Sequence, residues 1–101
     1  MSSPYSMATA SPSLSANQAI RAAFGEIPEV QAVFVSHAGG TLSVTIAIPD
    51  FDLAVQDRIY EAEGELIDSF PGAEFDFSLV FLQGRQLREI MTPSGVQIIS
   101  K

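Results

Sequence analysis

The spacing of apolar residues changes along the chain, and each change marks an element. In SANQAIRAAFGEIP, Ala16, Ala19, Ile20, Ala23 and Phe24 recur at helical intervals. Ser15 and Gln18 have the S-x-x-Q spacing of a capping box, while Gly25 and then Pro28 supply a stop. A first helix is therefore expected over about residues 15 to 24. The next segment, VQAVFVSHAGGTLSVTIAIPD, holds two runs rich in β-branched residues on either side of Gly39-Gly40, a pair able to adopt the positive φ angles of a tight hairpin turn. That turn predicts the cross-strand pairs His37 with Leu42, Val35 with Val44 and Val33 with Ile46. One face of the hairpin is then Val33, Val35, Leu42, Val44, Ile46 and Ile48. The other is Ala32, Phe34, Ser36, Ser43, Thr45 and Ala47, uncharged throughout.

After Pro49 the period returns to that of a helix. Val55, Ile59, Ala62, Leu66 and Phe70 form one stripe, Asp50 or Asp52 can cap it, and Pro71-Gly72 closes it. Gly64 interrupts this helix beside the stripe, which suggests close approach to the sheet. EFDFSLVFL alternates strictly, with Phe75, Phe77, Leu79 and Phe81 on one face and Glu74, Asp76 and Ser78 on the other, so a third strand follows, its aromatic face expected to be the thickest part of the core. RQLREIM can make a short helix burying Leu87, Ile90 and Met91, and VQIIS a terminal edge strand. This order predicts an α+β fold, a two-layer αββαβ sandwich of ferredoxin-like type with helices on one face and a short C-terminal helix and edge strand added. Strands two and three, joined through a helix, should be parallel if they share a sheet, which brings Glu74 and Asp76 to the glycine-turn end.

Composition narrows what such a domain can do. The 101 residues suit a single domain, with residues 1 to 12 a disordered Ser-, Ala- and Pro-rich tail and residues 13 to 101 folded. The opening MSSPYSMATASPS has neither a basic nor an apolar signal region, and the absence of cysteine fits a reducing, cytoplasmic setting. No unbroken apolar run exceeds four residues, far short of a membrane span. The net charge is −7, and Asp50 to Asp76 holds nine acids against Arg58 alone. With five Lys and Arg in the whole chain, neither nucleic acid nor an anionic membrane surface is an expected partner.

The stretch from EIPEVQAVFV to EFDFSLV, within residues 14 to 82, resembles the cytosolic αββαβ domain of cation-diffusion-facilitator transporters. The features carrying the likeness are Pro28 and Val30, His37, the glycine turn, IPDFDL entering the helix, Glu63, and FPGAEF before strand three. It implies a domain that dimerises and, in transporters, senses metal through His and carboxylate ligands. RIYEAEGELIDSFPGAEFDFSLV is also similar to a group of small stand-alone bacterial proteins of the same αββαβ form.

Two constellations are candidates for chemistry. His37, the single histidine, can be a hydrogen-bonded structural residue, a partner contact, or with Glu74 and Asp76 the ligand set of one divalent cation. Asp57, Glu61, Glu65 and Asp68 step by four, four and three along one helical face; they can be a solvated face or a surface for a basic protein partner. The chain holds no G-x-S-x-G, P-loop, G-x-G-x-x-G or H-E-x-x-H motif. The expected role is thus non-enzymatic and without a bound cofactor: an interaction or regulatory module that self-associates through its sheet and offers its acidic helix to a partner. A small metal-responsive regulator is the alternative.

Overall fold

The computed structural model describes residues 12–91 and 95–101, so the tail expected at the N-terminus falls largely outside it. Its elements are α1 (Pro12–Gly25), β1 (Ala32–Ala38), β2 (Thr41–Ile48), α2 (Leu53–Ser69), β3 (Glu74–Phe81), α3 (Leu87–Ile90) and β4 (Val96–Ser100). α1 begins three residues before the expected cap, which puts Ser15 inside the helix. Pro12 fits at that start because a first-turn residue has no intrahelical use for its N–H.

The four strands form one mixed sheet in the order β3-β2-β1-β4. Gly39 and Gly40, at φ +58 and +87, close the β1–β2 hairpin in the expected register, Val33 opposite Ile46, Val35 opposite Val44 and His37 opposite Leu42. β3 runs parallel to β2 without a break, from Thr41 opposite Glu74 to Ile48 opposite Phe81. β4 pairs antiparallel with β1 through a register shift at Val33/Phe34. Gly95 leads into it at φ +88, where a Cβ would stand 2.1 Å from the Val35 carbonyl oxygen, so only glycine fits.

The core lies between α1, α2 and one sheet face. Ile20 and Phe24 of α1, Val55 and Ile59 of α2, and Val33, Val44, Ile46 and Ile48 of the sheet are buried there. α1 packs toward β1 and β4, and α2 toward β3. Phe51, just before α2, meets Phe81 at 5.9 Å, and Phe70, just after it, meets Phe75 at 6.4 Å, so α2 runs the length of β3 in the opposite direction.

Three expectations change. The aromatic row Phe75, Phe77, Leu79 and Phe81 is only half-buried, because β3 is an edge strand with cover on one side. Leu87, Ile90 and Met91 are likewise half-buried. α3 with the residues before it borders a hollow with Ala32, Phe34 and Ala47, and so lies over the face opposite the two long helices. Gly64 is exposed, and a Cβ there would meet nothing within 4 Å, so no close approach to the sheet requires it.

Candidate functional site

The candidate surface is built on α2. Asp52 sets its start, its carboxylate accepting from the Ala54 N–H at 2.9 Å and the Val55 N–H at 3.2 Å. From there Val55, Ile59, Ala62 and Leu66 turn into the core. With 3.6 residues per turn, that orientation leaves Asp57, Glu61, Glu65 and Asp68 together on the outer side, all four exposed. Arg58 reaches Glu29 after α1 at 3.1 Å rather than an acid of its own helix; this is the sole ion pair among the described residues. Packing of α2 on α1 turns Arg58 toward that neighbour. The four aligned acids are thus left without an ion-pair partner among the described residues.

The acidic surface is broader than the α2 stripe. Glu26, at the end of α1, borders a hollow of about 330 Å³ with Glu65 and another of about 240 Å³ with Glu61 and Glu65. No signal in the sequence could have added Glu26, since its proximity follows from how the two helices pack. Glu63 stands apart: it is half-buried on the flank of α2 away from α1, and desolvation pushes its carboxyl above the usual range.

The three proposed metal ligands are not brought together. His37 opposes Leu42 on the helix-covered face, while Glu74 and Asp76 oppose Thr41 and Ser43 on the other face. Successive strand residues point to opposite sides, so the sheet itself stands between the imidazole and the carboxylates. Glu74 is engaged elsewhere, accepting from the Thr41 hydroxyl at 2.7 Å. Among the described residues no group of three or more His, Asp or Glu side chains could hold a metal ion. The same alternation was present in the sequence, and applying it to His37 as well as to β3 would have separated these residues.

His37 is exposed, near the end of β1 beside the glycine turn. It borders an open apolar pocket of about 490 Å³ with Leu42, Phe70, Ala73 and Ala16. That pocket combines one imidazole with apolar walls and, among the described residues, holds no carboxylate or nucleophile to pair with it. At the other end of the sheet, on the opposite face, Arg85, Arg88 and Lys101 line a hollow of about 450 Å³ with Phe34 and Gln97. Lys101 Nζ already donates to the carbonyls of Ile27 at 2.9 Å and Gly25 at 3.3 Å, closing the end of α1. Arg85 and Arg88 thus lie on the face opposite α2, whereas the Lys101 ammonium ties the end of the sheet to the end of α1.

Among known proteins, no family model, no curated protein and no solved structure matches this chain. The fold and the surfaces described above therefore carry the functional reading. No helix among the described residues is long and apolar enough to cross a membrane.

Proposed function

We propose that this α+β domain is a non-enzymatic interaction module that self-associates through its sheet and presents Asp57, Glu61, Glu65 and Asp68 to a basic protein partner. The observation that carries this reading is the exposed row of four carboxylates on α2, joined by Glu26 and bordered by one cation, Arg58, whose ion pair is with Glu29. A salt bridge on an open surface contributes little to stability, so those acids can be spent on a partner without loosening the fold. An acidic field of this kind speeds encounter with a positive surface and selects against negative ones. The test is affinity capture from the source cells with the wild-type chain and with Asp57, Glu61, Glu65 and Asp68 all changed to Lys, captured proteins being identified by mass spectrometry. A basic protein retained by the wild type and lost by the variant is the expected outcome. Identical sets of captured proteins would remove the acidic stripe as the docking surface.

A further inference from the structure

The two edges of the sheet are unlike. β4 has five residues, a register shift against β1 and a glycine entry, features that blunt an edge against pairing. β3 has eight residues in unbroken register, without proline, lysine or bulge, and its last five, Phe77 to Phe81, are uncharged. An edge of that kind presents a row of backbone donors and acceptors that another strand satisfies well. Beside it lies an apolar ridge. Leu53, Tyr60 and Ile67, spaced by seven along α2, are 65%, 54% and 50% exposed, a line of large apolar side chains open along one flank of the helix. Arg58, Glu61, Ala62 and Glu65 face α1. The ridge therefore lies on the opposite flank of α2, above the free edge of β3 and its half-buried aromatics.

We propose that two copies of this chain pair edge to edge along β3, antiparallel about a two-fold axis, with the Leu53, Tyr60 and Ile67 ridges of the two α2 helices meeting over the seam. This rests on the self-association proposed above and specifies its surface. The geometry closes. A helix joining two adjacent parallel strands sits over both, so each α2 axis stands about one strand spacing, ~4.8 Å, from the two-fold axis. The two helices then lie about 10 Å apart, the distance at which helices pack. Charge agrees as well. Residues facing across the seam must be of the same parity to share a face, and with Ser78 opposite Ser78 the acid Asp76 meets Val80 and Glu74 meets Leu82. The strand acids thus separate to opposite ends of the seam, while Phe77 faces Leu79 on the helix side; Glu63, half-buried on this flank of α2, is the one helix acid carried toward it. The acid stripe on α2 is turned about a quarter of a revolution from the ridge and stays in solvent. A stable dimer buries about 800 Å² from each partner, and the eight-residue edge with the flank of α2 beside it is the surface that would supply it.

The test is sedimentation equilibrium on the full chain, from micromolar to near-millimolar concentration, in low and high salt. The expected result is a dimer for the wild type that salt does not dissociate, and a monomer with unchanged far-UV circular dichroism for Tyr60→Lys combined with Ile67→Lys. Both side chains are exposed enough to be replaced without opening the core. As a measure needing no variant, amide exchange across β3 should slow on going from dilute to concentrated wild-type protein. A wild type that stays monomeric throughout would overturn both this inference and the self-association beneath it. If instead the dimer survives Tyr60→Lys/Ile67→Lys and breaks with Phe34→Lys on the open face or Val96→Lys on β4, self-association stands and the β3 seam falls. Assembly that dissolves steeply in salt would point to the acidic helix of one copy docking on the Arg85 and Arg88 hollow of the next, and would likewise overturn the seam.

Discussion

Gly64 occupies an exposed position inside a helix of 17 residues, with open space where a Cβ would be. A glycine there weakens the helix through the freedom it adds to the unfolded chain, and nothing in the monomer compensates. Gly64→Ala is expected to raise stability by about 0.5 to 1 kcal/mol in urea denaturation; a loss of stability would show that the site needs a bare backbone. Its neighbour in sequence, Glu63, bears the opposite kind of strain. Burial raises its carboxyl above the ordinary value, so the folded chain holds that proton more tightly than the unfolded chain does. The stabilising contribution is complete below the unfolded value and is lost as pH rises through the folded one. Glu63→Gln should therefore be more stable than wild type at neutral pH, the advantage shrinking toward about pH 4. An advantage independent of pH across that range would remove desolvation as its cause.

At the level of elements, local chemistry explains most of what the chain builds. The Gly39-Gly40 pair sets the hairpin register because two consecutive positive φ values allow few other turns, and the alternation of Val33, Val35, Val44 and Ile46 then assigns the buried face. Asp52 starts α2 by bonding the Ala54 and Val55 N–H groups, so Asp52→Ala should cost about 1 kcal/mol in thermal or urea unfolding. Asp50→Ala, which removes no such bond, is the control; equal losses at the two positions would mean that the cap contributes nothing beyond charge. Where reading by elements went astray, the cause was a neighbour. The capping-box signal at Ser15 was overridden by a helix begun at Pro12. The aromatic face of β3 looked like the thickest part of the core because its alternation is perfect, yet alternation assigns a face and not a position in the sheet. Only the order β3-β2-β1-β4 makes it an edge.

Across the whole molecule the charge is concentrated in one segment. Nine acids lie within Asp50 to Asp76 against Arg58 alone, whereas Arg85, Arg88 and Lys101 line a hollow at the far end of the sheet. Repulsion within the acidic region opposes folding and is screened within about 8 Å at physiological ionic strength. Raising sodium chloride from low concentration should increase the melting temperature by a few degrees, and a fall would indicate that attraction outweighs repulsion in the folded chain. The acid stripe Asp57, Glu61, Glu65 and Asp68 was fully legible in the sequence, since 3.6 residues per turn aligns those positions whatever the helix packs against. The α+β class, the hairpin register and the parallel β2–β3 pairing were legible for a similar reason: each follows from turn chemistry, hydrophobic period or a crossover connection, all local properties of the chain. The partners of Arg58, the nearness of Glu26 to the stripe, the separation of His37 from Glu74 and Asp76, and the half-covered edge at β3 belong to the tertiary structure. Each depends on which segments, distant in sequence, come to lie side by side, and that is decided by how two helices share one face of a four-stranded sheet.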